Sequence, residues 1–270
     1  NEDTSFNIYT RSPYAFTFGQ TTQRGYRAIF SKEGSTLLAS IPVGGQTGMS
    51  GTAQLTTLVS PTGESDEKCG LGVRTMFVDN GIGTGAVALL RQANPELRTE
   101  DLQAIIAITA VKNDPKSTSW VTNAAGYNYS RYYGFGRLDL GRAALIAKEW
   151  TPLPQSTFET KYVVSGEIVK SFMKDPITST VQCERIKFVE NIILYLQFSE
   201  IDLGNTRIYL TSPSGTKVLL KNNQAILKES LVTPAYRVAT RQFFGENGIG
   251  NWTLTIQRVG YGADVKFNDW

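Results

Sequence analysis

The run TGAVALLRQANPELRTEDLQAII, residues 84–106, holds two helices and the stop between them. From Thr84 to Gln92, small and aliphatic residues lie on nearly every side, which predicts a helix buried on most faces. Asn94-Pro95 ends it, because proline disfavours helical geometry in the residue before it. A second helix is expected from about Thr99 to Ala110. Thr99 suits an N-cap, Glu100 and Asp101 complement the positive end of the dipole, and Leu102, Ile105, Ile106 and Thr109 fall on one face.

Upstream, Tyr14–Phe18 alternates with period two and predicts a strand, as do Thr36–Ile41 and Leu55–Val59. Gly45–Lys68 is otherwise polar and turn-rich. Downstream, a third helix is expected from an Asp139 N-cap to Lys148–Trp150, after Gly134-Phe135-Gly136, which lets backbones approach closely. Beyond Thr151-Pro152-Leu153-Pro154 the helical period is lost. Ile192–Phe198, Thr206–Leu210, Thr216–Leu220 and Trp252–Ile256 are strand candidates separated by turn residues, the pattern of an all-β sandwich or barrel. The expected organisation is an α/β unit over 1–150, a linker over 151–156 and an all-β unit over 157–270.

The chain of 270 residues has two cysteines and no histidine. Without histidine it cannot supply a Ser-His-Asp triad or a Cys-His dyad by itself, or a histidine-based metal or haem site. Two cysteines make neither a thiolate cage nor a disulfide framework. A net charge of +3 with no basic run argues against electrostatic nucleic-acid binding. The longest apolar stretch, near Ile105–Val111, is far too short to span a bilayer. The chain opens on Asn1-Glu2-Asp3 as though cut from something longer, with no signal-peptide pattern. Asn128-Tyr129-Ser130 and Asn251-Trp252-Thr253 would accept glycans in a secretory compartment.

The segment Ala86–Ile106 closely resembles the helices that follow the nucleophile in kexin/furin-type subtilases. Phe30-Ser31-Lys32-Glu33-Gly34, Leu55-Thr56-Thr57, Tyr133-Gly134-Phe135-Gly136-Arg137-Leu138-Asp139 and Trp150 resemble further motifs of that family, in order. Leu210-Thr211-Ser212-Pro213-Ser214-Gly215-Thr216 and Phe244-Gly245-Glu246, followed by Gly250-Asn251-Trp252-Thr253-Leu254, are similar to motifs of the P domain that follows such proteases. The resemblance implies the C-terminal part of a subtilisin-like α/β domain joined to a jelly-roll-like sandwich. It also implies that the catalytic Asp, catalytic His and oxyanion Asn lie before residue 1, and that the last strand of the sandwich lies beyond Trp270.

In the family the serine opens the buried helix, where free N–H groups and the dipole suit a developing oxyanion. Counting back from Gly85-Ala86-Val87 without a gap places Phe77 at that serine. Thr75 and Met76 precede it, Met76 replacing a threonine, and Gly81 replaces a proline. Cys69 lies eight residues before Phe77, as a cysteine does before the family's serine. Phe77 has no nucleophilic oxygen, so no catalytic residue is assigned. Ser31, Ser35, Ser50, Ser65 and Thr84 are the substitute hydroxyls weighed.

No cofactor follows from the residues themselves; calcium enters only through the resemblance. The family's ligating acid in the Ser-Glu turn is replaced by Lys32, with Glu33 one position later. The partners that the resemblance implies for Cys69 and Cys183 are not in this chain, so both are expected either free and buried or linked to something outside it. The expected function is a degenerate, non-cutting relative acting as a structural or binding component of the secretory pathway or extracellular space. Its partner would be the N-terminal remainder of the same precursor or another subunit. The alternatives are a fragment of an active calcium-dependent endopeptidase that processes proproteins, and an adhesion or carbohydrate-binding sandwich.

Overall fold

The computed structural model describes residues 3–43, 55–58, 69–73, 78–155, 157, 159–161, 164–170, 176–201, 203–223, 235–259 and 265–270. Three helices occur among them: α1 (Val78–Ala93), α2 (Thr99–Thr109) and α3 (Leu140–Lys148). Three short strand pairs accompany them. β1 (Phe18–Thr21) and β2 (Ala39–Pro42) run parallel, with Phe18 opposite Ala39. β3 (Leu55–Leu58) and β4 (Cys69–Val73) are antiparallel, as are β5 (Trp120–Thr122) and β6 (Asn128–Ser130).

The first strands begin later than the alternation predicts. Tyr14 is exposed and pairing starts at Phe18; the second strand starts at Ala39, not Thr36. α1 starts six residues before Thr84, and its burial also departs from expectation. Gly83, Ala86 and Leu90 face inward, while Leu89 is 50% exposed and Ile82 36%. The reason is one-sided packing. A Cβ on Gly83 would come within 2.6 Å of the Phe18 ring, so α1 lies directly against the β1–β2 pair. No described residue covers its opposite face.

The cap of α2 is Arg98, with Thr99 already inside the helix. Asp101 accepts from Arg98 N at 3.0 Å, so the acid three residues in closes the first turn from below. Asp139 caps α3 as expected, accepting from Arg142 N at 3.0 Å. Leu90, Leu97, Leu102, Ile105, Ile106, Ala143 and Ala147 form the core of this unit with Leu38, Tyr129 and Phe135. Gly134 and Gly136 bring the chain against this core. Their φ angles are +62° and +138°, and an added Cβ would lie 2.6 Å from Leu38 O and 2.5 Å from Val111 O respectively.

The second unit is a β-sandwich of two antiparallel four-stranded sheets. Its strands are β7 (Val164–Lys170), β8 (Ile177–Cys183), β9 (Ile192–Glu200), β10 (Thr206–Thr211), β11 (Lys217–Lys221), β12 (Ala235–Thr240), β13 (Gly250–Arg258) and β14 (Val265–Asp269). One sheet runs β11-β10-β13-β8 and the other β12-β9-β14-β7. Period-two burial fills the space between them. Ile208 and Leu210 stand opposite Ile256 and Leu254 in the first sheet; Leu194 and Leu196 stand opposite Val238 and Tyr236 in the second. Among the described residues of this unit, Phe198, Tyr236, Phe243, Phe244, Trp252 and Phe267 are buried, whereas Tyr195 is more than half exposed.

Candidate functional site

Thr75, Met76 and Phe77, with Ser50 and Ser65, lie outside the described residues. The described chain resumes at Val78, the first residue of α1, so the helix opens one position after Phe77. Thr84 sits six positions into that helix, and its hydroxyl donates to Asn80 O at 2.7 Å. A hydroxyl turned onto its own helix is a back-bonding threonine.

The two serines of the upstream turn are structural. Ser35 is fully buried; its hydroxyl donates to Ala239 O at 2.6 Å and lies 2.7 Å from the Ser5 hydroxyl. Ser31 is buried, and its Oγ accepts from Gln20 N at 2.9 Å. Both hydroxyls are buried and held in hydrogen bonds that tie the fold together.

The residues of the same turn do not fit calcium. The side chain of Lys32 is exposed, and an ammonium cannot ligate a cation. Glu33 Oε2 faces the Arg27 guanidinium at 3.9 Å. Among the described residues no group of three or more His, Cys, Asp and Glu stands at metal-binding spacing. Cys183 is free and half-buried. Its thiol donates to Glu159 Oε2 at 3.1 Å, and burial pushes its pKa up, so it is not a poised thiolate. Glu159 accepts from that thiol and from the Glu184 and Arg185 amides, which hold its pKa at about 2. The side chain of Cys69 is outside the described set. Asn251 is exposed on β13, whereas Asn128 is half-buried and its Oδ1 accepts from Thr122 at 2.9 Å.

The most heavily bonded site is the junction of the two units, which the sequence did not announce. Arg241 follows β12 and is 4% exposed. Its Nε donates to Asn191 Oδ1 at 3.0 Å, Nη1 to Thr36 O at 2.8 Å, and Nη2 to Ala15 O at 2.8 Å and Pro13 O at 3.3 Å. Burial lowers its pKa to about 10, with no carboxylate bonded to it. Gln103 Nε2 reaches the same two carbonyls of residues 13 and 15, so helix and sandwich share one pair of acceptors.

A second row of bonds runs alongside. Asn123 Nδ2 donates to Gln242 O and Phe244 O at 3.1 and 2.9 Å, and Ala124 N donates to Glu246 Oε1 at 3.0 Å. On the other flank, Arg131 donates to Leu219 O and Leu220 O and pairs with Asp3. Between the rows, the Phe244 ring lies edge-on to Tyr127 and Phe135 of the first unit and to Phe188 of the second. Asp101 ties the connecting segment down. Its buried carboxylate accepts from Trp150 Nε1 at 3.1 Å and Leu153 N at 2.7 Å as well as from Arg98.

Burial alone would raise the pKa of Asp101, but the hydrogen bonds from Leu153, Arg98 and Trp150 outweigh it and hold it below the ordinary aspartate value. A folded pKa below the unfolded one stabilises above the unfolded pKa, and the benefit is lost as pH falls through the folded pKa. Asp101→Asn should therefore cost about 1.5–3 kcal/mol at neutral pH, and the gap to the parent should close as pH falls below 4. Urea titrations of both proteins across that range give the result; a pH-independent gap would contradict it.

The geometry is joined by sequence comparison. Residues 189–270 match the model of the Proprotein convertase P-domain. The chain is 28% identical over 256 residues to human Proprotein convertase subtilisin/kexin type 6, aligning 92% of itself with 26% of that protein. It is 28% identical over 265 residues to rat Proprotein convertase subtilisin/kexin type 5, aligning 92% of itself with 14% of that protein. The chain thus spans about a quarter or less of these curated relatives. Among solved structures, the serine protease of Aeromonas sobria superposes with a TM-score of 0.70 at 20% identity, covering 94% of this chain and 56% of that one. That likeness is one of fold. The kexin/furin-like resemblance read from the motifs holds, with its P-domain-like region in the sandwich.

Proposed function

We propose that this kexin/furin-like relative has lost peptide-cutting chemistry and works as a structural or binding component. The reading rests on the gapless count along the sequence that puts Phe77 at the position of the serine nucleophile. Two features support it. α1 opens at the next residue, the place the nucleophile occupies in such a domain. Ser31, Ser35 and Thr84 are each committed to a structural hydrogen bond.

The proposed division is a C-terminal part of a subtilisin-like domain over 1–150, a linker over 151–156 and a jelly-roll-like P domain over 157–270. The first unit needs a cover. Ile8, Tyr9, Tyr14, Tyr26, Ile29 and Phe30 are each more than half exposed, and the outer face of α1 adds Ile82 and Leu89. Apolar exposure on this scale marks a contact surface. The N-terminal remainder of the same precursor or another subunit is the proposed occupant. No helix among the described residues is long and apolar enough to cross a membrane. We place the protein in the secretory pathway or outside the cell, with exposed Asn251 as its glycan acceptor.

A fluorophosphonate serine-hydrolase probe applied to the native protein should leave it unlabelled. Stoichiometric labelling would overturn the proposal.

A further inference from the structure

The turn from Arg27 to Gly34 has an unusual centre. Arg27 Nη2 donates to Ser31 O at 2.8 Å, and Nη1 stands 3.9 Å from Glu33 Oε2. The guanidinium carbon lies 4.2 Å over the Tyr132 ring, so a π-face closes a third side. The backbone is fixed independently: Arg27 N donates to the Tyr133 hydroxyl at 3.0 Å, and that hydroxyl donates to Asp114 Oδ2 at 2.9 Å.

Two further oxygens of the turn are engaged. Ser31 Oγ accepts from Gln20 N at 2.9 Å, and Glu33 O accepts from Thr4 N at 2.8 Å. Gly34 admits no looser packing, because an added Cβ would sit 2.0 Å from Thr4 Oγ1.

We infer that Arg27 is the built-in cation of this turn, standing where the resemblance implies a bound calcium. A calcium ion needs six to eight oxygens at roughly 2.3–2.6 Å. Here a carbonyl and a carboxylate already face a guanidinium, and a divalent ion between them would sit about 4 Å from a fixed positive charge, a repulsion that a surface dielectric does not remove. Lys32 adds a second cation to the same turn. The guanidinium supplies, through one N–H donated to Ser31 O and its charge facing Glu33, what a metal would supply by ligation, and it needs no cation from solution. The turn therefore folds in the absence of calcium.

The test is thermal unfolding of the full chain with calcium or with EGTA, for the parent, Glu33→Gln, Arg27→Lys and Arg27→Met. The parent should melt at one temperature in both buffers, or show a calcium shift that Glu33→Gln leaves intact because it arises elsewhere. Arg27→Met should lower the melting temperature in EGTA by roughly 3–6 °C, with Arg27→Lys falling between it and the parent. A calcium-dependent rise in the parent that Glu33→Gln abolishes would overturn the inference. So would Arg27→Met melting like the parent in EGTA.

Discussion

Arg241→Leu should cost about 3–5 kcal/mol, the range for removing one partner from a buried, charged hydrogen-bond set. The substitution takes away four donated bonds at once. Gln103 still reaches the carbonyls of Pro13 and Ala15, so those two keep a donor. Thr36 O and Asn191 Oδ1 lose the one that Arg241 supplied. Arg241→Lys should recover less than half of the loss, because one ammonium cannot serve acceptors on three sides of a planar fork. The expected signature in urea is a loss of coincidence. With Trp120 and Trp150 of the first unit changed to Phe in parent and variant alike, Trp252 reports from the sandwich core, and far-UV circular dichroism reports the helices of the other unit. In the parent the two curves should overlay; in the variant they should separate. A loss under 1 kcal/mol with overlaid curves would show that Arg241 does not hold the units together.

Gly134→Ala should cost about 3–4 kcal/mol. Part is conformational, since a φ of +62° is left-handed and costs a non-glycine residue about 1–2 kcal/mol. The larger part is steric. The new methyl would lie 2.6 Å from the carbonyl carbon and oxygen of Leu38, backbone next to β2 that cannot rotate away. Gly126 is the control. Its φ is +86°, but an added Cβ meets nothing within 4 Å, so Gly126→Ala should show only the conformational cost of about 1 kcal/mol. Equal losses at the two glycines, measured by urea denaturation, would remove the close-approach explanation.

The parts of the fold that were legible share a cause. Ile192–Phe198, Thr206–Leu210 and Trp252–Ile256 read as strands because an interior strand of a sandwich alternates strongly. The edge strand β11 was recognised as well, whereas the edges β7, β8 and β12 and the five-residue interior strand β14 were not. β8, Ile177-Thr-Ser-Thr-Val-Gln-Cys183, buries Ile177 fully and little else, so its apolar signal is thin. α1 misled in the opposite direction: Leu89 suggested burial, and it is half exposed. The Phe77 assignment came from counting along a resemblance, which is legible in a sequence. Arg241 had no such signal. An isolated arginine bonded to main-chain carbonyls has no partner residue type to look for, and nothing in the sequence marks residues 13, 15 and 36 as its acceptors.

The separation of those partners has a consequence for how the chain reaches its final form. Ala15 and Arg241 are 226 positions apart, and Ser35 and Ala239 are 204 apart. Contacts of such span are the slowest to form, since the intervening chain must be ordered before they yield any stabilisation. During synthesis the helices and the β1–β2 pair emerge first and must wait for β12 to be made. Over that interval the underside of the first unit stands open along with its exposed outer face, and material in that state is prone to associate with its own kind. A chaperone or a prebound second polypeptide would act most usefully in that window. Lower temperature during expression, which weakens apolar association over that interval, favours the joined molecule over aggregates.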